Sequence, residues 1–522
     1  MKNKFKQKGG VFFLAALVFF GLCGKAGATI SLYDGKLILS GFAKETVYVR
    51  TDQSKREQEY RDTALDLAKT SLYIEALYTL RECPDLTVRM FTSVKWWYES
   101  TSGFLDDNQR RHILHRHRKQ YTSPRKFDDD ILTEAYVDII KGPFQVRLGK
   151  QIVIWGQLDV DKVADVVNPI DFRWNVPGID AWEEIKKGLW MVRMFYQTDL
   201  PGNILLEGIF NPGYFQEFRL PYDGTHWGVP YDEPFGASGM TIFGWQQEKM
   251  HRDARRWSLS ENYEWGFRIR GYSLGIDWTL LFWNAPSDSP TADPRRLGDF
   301  SMQYVSGALG AAIFGGSINP GNWPEYKVYR YKRLQTFGGT AQYCADWLHG
   351  SIWRLEWFYN KGQPFNRGGR GSVSDIDGWT RRDTYGFAVS CSDKFRLPGV
   401  SNTIGRGKML DVTLTFFWDK IRDNNHDLYK SALNHRPGDS TTEGFSIFLM
   451  QMMFSGEWTF TFIGNYKPRI NKYFGCPTMT YSFSGSHWYM DIGYKFYGAR
   501  HGYNYGSYHD KDAVIFRLRY EF

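Results

Sequence analysis

The sequence predicts an all-β protein, a closed antiparallel transmembrane β-barrel of about 18 strands (alternative 16) with long extracellular loops. Three observations point to it. The mean hydropathy is −0.46, yet 17% of the residues are aromatic and 52 are glycine. Segments of about ten residues, in which apolar and polar side chains alternate, recur along the chain. The connections between these segments are alternately long and short.

The composition excludes two other classes of protein. A disordered chain is poor in aromatic residues, so this chain is expected to fold. A bundle of membrane helices needs repeated apolar runs of about 20 residues. The one long apolar run is Val11–Cys23, near the N-terminus. One large β structure that turns its apolar side chains toward lipid fits both the polar average and the aromatic content.

The first 28 residues have the pattern of a secretory signal peptide. Four lysines precede the apolar stretch Val11–Leu22, and Ala26-Gly27-Ala28 matches a cleavage site. Residues 29–522 would then form the barrel. Because residues 1–28 carry five lysines and no acid, their removal lowers the net charge from +8 to +3. This near-balance gives no basic face for nucleic acid, so no nucleic-acid partner is expected.

The C-terminus shows the alternation most clearly. Val514, Phe516 and Leu518 fall on one face of a strand, and Arg517 and Arg519 fall on the other. The strand ends on Phe522 and resembles the last strand of bacterial outer-membrane barrels, which the barrel-assembly machinery reads. The pattern predicts a protein of the bacterial outer membrane that contacts lipid and lipopolysaccharide.

Connection lengths support the same interpretation. Residues 51–67 form a long connection and 81–84 a short one, as expected if long loops are extracellular and short turns periplasmic. Residues 392–406 are an exception, because a long connection stands where a short one is due. The predicted strands lie near residues 37–50, 68–80, 85–97, 130–141, 143–153, 188–197, 202–210, 262–272, 273–284, 331–345, 350–360, 381–391, 407–419, 443–455, 456–467, 477–485, 487–497 and 513–522.

One motif resembles a known family. Residues 148–156 read LGKQIVIWG, and residues 165–171 read DVVNPID. A strand that ends in Trp-Gly before such a loop resembles the outer-membrane family catalogued as domain of unknown function 1302, although Lys150 stands where arginine is usual and Gln157 where an acid is usual. A weaker similarity links the Gly-Lys-Gln strand to alginate-export barrels. The resemblance implies a porin-like barrel, sometimes proposed to work with an inner-membrane exporter on hydrophobic or lipid cargo, and it supplies no established substrate.

Charged side chains on the polar faces of the strands are the candidates for lining a channel. Together with Glu75 and Glu521 they comprise nine bases and seven acids. In a wet lumen such charges can set an ion preference, here mildly for anions, or can form ion pairs that stabilise the wall. The candidates are Arg89, Lys95, Glu134, Asp138, Arg147, Arg193, Glu264, Arg268, Arg270, Arg354, Glu356, Asp411, Arg517 and Arg519.

The connection 154–187 is the candidate for a constriction, because it follows the family-like strand and is rich in aspartate. It could fold into the lumen, bind Ca²⁺, or remain a solvated loop. It lacks the glycine and terminal glutamate of an EF-hand. The residues expected at a constriction are Trp155, Asp159, Asp161, Asp165, Asn168 and Asp171.

A basic, histidine-containing run over residues 110–119 could contact lipopolysaccharide phosphates, bind a transition metal or remain solvated. Enzyme motifs such as G-x-S-x-G, H-E-x-x-H and the P-loop do not occur in the sequence. We therefore expect no enzyme and no cofactor. The sequence favours a passive channel; an export conduit or accessory component for hydrophobic or lipid cargo, with an unidentified export partner, is the second hypothesis, and an adhesin or structural barrel is the third.

Overall fold

The computed structural model describes residues 29–51, 65–99, 124, 127–159, 162–171, 180, 182–213, 262–287, 291–292, 329–368, 376–424, 427–429, 440–498 and 512–522. The predicted signal peptide and the basic run at 110–119 lie outside these ranges.

Eighteen long antiparallel strands form one closed sheet, which confirms the predicted fold class and strand count. The first strand pairs with the last, with Phe42 opposite Glu521. At this seam the Gly41 N–H donates to the Phe522 carbonyl at 2.8 Å, and the Phe522 N–H donates to the Gly41 carbonyl at 3.0 Å. The strands are β1 (Leu37–Arg50), β2 (Leu65–Cys83), β3 (Leu86–Glu99), β4 (Leu132–Lys141), β5 (Phe144–Gln151), β6 (Leu189–Gln197), β7 (Leu205–Asn211), β8 (Glu264–Ser273), β9 (Ile276–Pro286), β10 (Arg333–Ala345), β11 (Ser351–Gly368), β12 (Ile376–Phe395), β13 (Leu410–Ile421), β14 (Thr441–Met453), β15 (Trp458–Lys467), β16 (Lys472–Ser482), β17 (Trp488–Gly498) and β18 (Ala513–Glu521).

The structure also contains short strands and helical turns outside the eighteen long strands. The short strand Ile30–Leu32 pairs with β1, and Leu428–Tyr429 pairs with β11. Two further short strands, Thr291–Ala292 and Tyr329–Arg330, pair with each other. The helical elements are Phe127–Ile131, Trp182–Ile185, Pro398–Ser401, Phe454–Gly456 and Pro468–Ile470. Among the described residues, no helix has the length and apolar character to cross a membrane.

Several strands are longer than their sequence pattern. The segment predicted at 350–360 continues to Gly368, and its partner β12 covers Ile376–Phe395 instead of 381–391. The register of this pair shifts between Asn360 and Gln363, and pairing resumes beyond the shift. The added residues are largely polar, so apolar alternation could not reveal that the hydrogen-bonded ladder extends there.

The two faces of the sheet differ as the alternation requires. On β1, Lys44 and Tyr48 are buried inside the barrel, whereas Ala43 and Val47 lie on the outer face. Apolar side chains of the outer face are exposed, and aromatic rings on it meet across strands, as do Phe416 and Phe445 at 5.2 Å. An apolar outer band is what a barrel surrounded by lipid presents.

The turns define two different ends of the barrel. At the short-turn end, β8 and β9 are joined by Leu274 and Gly275, whose φ values of 53° and 78° fit a tight hairpin turn. The connection of residues 396–409, between β12 and β13, lies at the same end although it is long. We call the opposite end, where β5 and β6 are joined by residues 152–188, the long-loop end.

Candidate functional site

The connection between β5 and β6, here called the inner segment (residues 152–188), enters the barrel. Its first residues are tied to the wall beside it, because the Ile152 N–H donates to Glu134 Oε1 at 2.7 Å. Asn168 then joins both ends of the segment. Its side-chain oxygen accepts the Val153 N–H at 2.7 Å, and its amide donates to the carbonyls of Gln151 at 3.1 Å and Lys187 at 2.7 Å.

The middle of the inner segment reaches the wall at β11, six strands away from β5. There the fully buried carboxylate of Glu356 accepts the backbone N–H groups of Gln157, of Leu158 at 2.8 Å and of Ala164 at 2.8 Å. The Leu158 side chain packs with Ala388 of β12. The inner segment therefore crosses the interior of the barrel.

The end of the inner segment contacts the wall at β1 and β3. Lys44 Nζ lies 2.6 Å from Glu184 Oε1 and 3.7 Å from Asp180 Oδ1. Lys95 donates to the backbone carbonyl of Glu184 at 2.7 Å. Two separate parts of the wall, at β1 and β3 and at β11 and β12, thus hold the segment.

Buried ion pairs connect the two halves of the inner segment. Lys186 Nζ lies 2.5 Å from Asp165 Oδ2, and Lys187 Nζ lies 3.7 Å from Asp171 Oδ2. Because removing ions from water is costly, such pairs persist only in a closely defined geometry. The pairs favour one conformation of the segment inside the barrel.

Trp155 attaches the inner segment to a charged cluster on the wall. Its indole N–H donates to Glu207 Oε1 at 3.1 Å. The same carboxylate accepts from Arg193 Nε and Arg268 Nε, each at 2.7 Å. The Trp155 ring also meets Trp283 edge to face, with 5.7 Å between centroids. One buried acid therefore holds two arginines and the indole.

Part of the inner face is apolar, which the sequence analysis did not anticipate. Inward side chains of β6, β7 and β9 pack against the inner segment in one buried cluster. The inner segment therefore shields this sector of the wall from water. The cluster consists of Val153, Trp155, Ala164, Val167, Leu189, Met191, Ile209, Leu281, Trp283 and Ala285.

The other predicted lining residues are distributed around the wall. Asp138 and Arg147 face each other on β4 and β5, with 2.6 Å between Oδ2 and Nη2. Arg354 Nη1 lies 3.6 Å from Asp159 Oδ2 of the inner segment. Arg270 is exposed. The remaining contacts are Arg89–Glu82 at 3.1 Å, Asp411–Lys394 at 3.2 Å, Arg517–Asp491 at 3.0 Å, Arg519–Glu521 at 3.3 Å and Glu264–Asn211 at 2.6 Å.

Of the six residues predicted for a constriction, Trp155, Asn168 and Asp171 are buried in the inner segment, and the side chain of Asp165 beside them is only 3% exposed. Asp159 differs, because its side chain is 55% exposed. Asp161 lies outside the described residues. Within the described ranges, no group of three or more His, Cys, Asp or Glu side chains is placed to hold a metal ion.

The predicted lining residues did not include Glu207, Lys44 and Glu184. Glu207 lies between Leu205 and Ile209 on the inner face of β7, and these apolar neighbours conceal the polar alternation. Lys44 could have been found, because Lys44, Thr46 and Arg50 fall on the face of β1 opposite Ala43, Val47 and Val49. Glu184 had no such signal, since its position depends on how the inner segment folds.

Comparison with solved structures finds similar barrels. OmpF of Salmonella typhi, solved in complex with daunomycin, is 10% identical, with 94% of this chain and 100% of that chain covered and a TM-score of 0.40. OccAB1 of Acinetobacter baumannii is 9% identical, with 95% and 97% covered and a TM-score of 0.47. OccK2 of Pseudomonas aeruginosa, solved in complex with glucuronate, is 9% identical, with 93% and 97% covered and a TM-score of 0.42.

A search of curated proteins finds no match. A family model described as "protein of unknown function (DUF1302)" matches residues 49–522, which include seventeen of the eighteen barrel strands in full and the last two residues of β1. This match agrees with the resemblance seen in residues 148–156 and 165–171. The chain is a member of the DUF1302 family.

Proposed function

We propose that the protein is an outer-membrane, porin-like channel for passive passage of small solutes, with the inner segment forming its narrowest part. The observation that carries the proposal is that the segment crosses the interior, from Lys44 on β1 to Glu356 on β11. A barrel of 16–18 strands encloses an aqueous channel unless something fills it. A segment held at two walls narrows such a channel in a fixed position.

Several features support the membrane and its orientation. The outer face is apolar, residues 1–28 are predicted to be a signal peptide, and Phe522 follows β18 and bonds to Gly41 at the seam. In this orientation the short-turn end faces the periplasm and the long-loop end faces the exterior. The seam at Phe522 would be presented to the barrel-assembly machinery.

The passage next to the inner segment is charged. The exposed carboxylate of Asp159 lies beside Arg354, and the Asp138–Arg147 pair is also partly accessible to solvent. With nine bases and seven acids predicted on the inner face, we propose a mild preference for anions. A channel of this kind needs no catalytic group and no cofactor.

Single-channel recording in planar bilayers tests the proposal. We expect discrete ion currents from the refolded protein and, under a salt gradient, a reversal potential displaced toward that of the anion. Heat-modifiability on gels reports whether the barrel is folded. A folded barrel that passes no ion current would refute the porin hypothesis, and a displacement toward the cation would refute the anion preference alone.

Glu45 tests the membrane placement independently. It lies on the outer face of β1 between Ala43 and Val47, and the Thr70 hydroxyl donates to it at 2.5 Å. Because a carboxyl group in hydrocarbon costs more than the loss of one acceptor by the Thr70 hydroxyl, Glu45→Leu is expected to raise the free energy of unfolding from lipid vesicles by about 1 kcal/mol. The measurement is urea unfolding followed by tryptophan fluorescence.

Glu75→Leu is the matched control for Glu45→Leu. Glu75 lies on the inner face of β2 and accepts the Tyr73 hydroxyl at 2.9 Å. This substitution should lower the free energy of unfolding, because it leaves a buried donor without its acceptor. Equal destabilisation by both substitutions would contradict a lipid-facing position for Glu45.

A conduit or accessory component for export of hydrophobic or lipid cargo is the second candidate. The apolar cluster around Trp155, Met191 and Trp283 favours it, because movement of the inner segment would expose an apolar strip inside the barrel. A folded barrel without ion current that binds a fluorescent fatty acid only after Trp155→Ala would support this candidate over the porin.

A further inference from the structure

The long connection at the short-turn end, residues 396–409, has a defined fold; we call it the rim connection. The Leu397 N–H donates to the Ser401 hydroxyl at 3.0 Å, and the Gly405 N–H donates to the Val400 carbonyl at 2.7 Å. The Gly407 N–H donates to the Ser401 carbonyl at 2.6 Å, and Ser401 is fully buried. So many internal bonds indicate a built element rather than a loose linker.

The rim connection lies over the outer face of the barrel at Gln451, near the end of β14. Gln451 lies on the same face of β14 as Phe445 and Leu449, which is the outer face, yet it is buried. It is buried because the rim connection lies over it: its amide donates to the Lys408 carbonyl at 3.4 Å, and a Cβ on Gly405 would lie 3.3 Å from it. The Phe454 N–H also donates to the Ile404 carbonyl at 2.6 Å.

The charge of the rim connection is entirely positive. Residues 396–409 contain Arg396, Arg406 and Lys408 and no acid. Arg396 donates to Asn402 Oδ1 at 2.8 Å, and Arg406 donates to the Ser455 hydroxyl at 2.9 Å, so the guanidinium groups bind neutral partners. Among the described residues, none of these three cations forms an ion pair.

Exposed apolar side chains lie next to these cations in the chain. Leu397, Ile404 and Met409 are all exposed in the rim connection. Cations interleaved with apolar side chains at the edge of a membrane are typical of elements that bind the headgroup and acyl boundary of a lipid leaflet.

We propose that the rim connection binds anionic phospholipid of the periplasmic leaflet, an inference that rests on the membrane placement under the proposed function. Arg396, Arg406 and Lys408 contact the headgroup phosphates, and Leu397 and Ile404 insert at the acyl boundary. The outer-face position of the element favours lipid over an acidic periplasmic protein, which would more readily approach the open mouth of the barrel.

Native mass spectrometry of the protein released from nanodiscs tests the proposal. The nanodiscs contain phosphatidylcholine mixed with phosphatidylglycerol, and the measurement is the ratio of the two lipids retained on the protein. We expect enrichment of phosphatidylglycerol on the wild-type protein. The variant with Arg396→Gln, Arg406→Gln and Lys408→Gln should lose about ten-fold or more of this enrichment, because each cation near an anionic surface contributes about a five-fold preference.

Lys394→Gln is the matched control, because Lys394 belongs to the same end of the barrel but is paired with Asp411 at 3.2 Å. It should retain the enrichment. Lys408→Gln alone, which removes a side chain with no hydrogen bond among the described residues, gives a second variant if the triple variant does not fold. It should lose about five-fold of the enrichment.

Enrichment that is absent from the wild-type protein, or unchanged in the folded triple variant, would overturn the proposal, and an acidic protein would then be the better occupant. Single-channel recording of the same preparations separates this failure from failure of the proposed function. Ion current without lipid enrichment refutes only the binding of anionic phospholipid by the rim connection. Lipid enrichment without ion current refutes only the proposed channel function.

Discussion

Glu356→Ala is expected to raise the single-channel conductance several-fold. The Glu356 carboxylate accepts three backbone N–H groups of the inner segment in a fully buried position. Each buried donor left without an acceptor costs about 1–3 kcal/mol, so the substitution removes the main polar contact of the segment with β11. The segment should then leave this wall and widen the passage. The measurement is conductance in planar bilayers at fixed salt.

Asp411→Asn is the control for this experiment. Asp411 is also an acid on the inner face, but it pairs with Lys394 near the short-turn end and makes no contact with the inner segment among the described residues. Its substitution should leave conductance unchanged. If folded Glu356→Ala conducts like the wild type, the inner segment does not set the narrowest part of the passage.

Glu207→Leu is expected to lower the free energy of unfolding by about 3–5 kcal/mol, the largest effect on stability that we predict for a single substitution. Glu207 is the common acceptor for Arg193 and Arg268 and also accepts the Trp155 indole. Its removal leaves two cations side by side in a buried part of the wall. Urea unfolding from lipid vesicles measures the change.

Two further variants identify the cause of this loss. Glu82→Gln breaks an exposed ion pair with Arg89 and should change stability by at most about 1 kcal/mol. Adding Arg193→Leu and Arg268→Leu to Glu207→Leu should recover much of the lost stability, because no uncompensated charge remains. A triple variant as unstable as Glu207→Leu would show that lost packing, rather than buried charge, is responsible.

The barrel could be predicted from the sequence because residues of its outer and inner faces alternate along each strand. In β18, Val514, Phe516 and Leu518 take the outer face while Arg517 and Arg519 take the inner one, as the pattern alone indicated. Strand ends were harder to predict. Beyond Asn360 the register shifts, and Phe365 and Trp379 stand among polar residues, so backbone hydrogen bonds form there without a regular apolar alternation.

The candidate site was only partly predictable. Alternation identified Glu356 as an inward residue, but it could not indicate that its partners are backbone N–H groups at residues 157, 158 and 164. Such contacts join positions nearly two hundred residues apart and depend on the path of an irregular segment. The family-like sequence around Asn168 was visible, whereas the way its amide joins Gln151 to Lys187 was not.

The attachment of the inner segment also has a mechanical consequence. A thin, hollow cylinder of β-sheet can flatten into an ellipse at little cost, because the bending is shared among many strands. The inner segment is fixed at β1 through Lys44 and at β11 through Glu356, so it spans the barrel as a cross-brace. Flattening of the barrel must therefore stretch or compress the segment and break those contacts. The inner segment thereby sets the cross-sectional shape of the barrel, and the aperture beside it should stay constant when lateral pressure in the membrane changes.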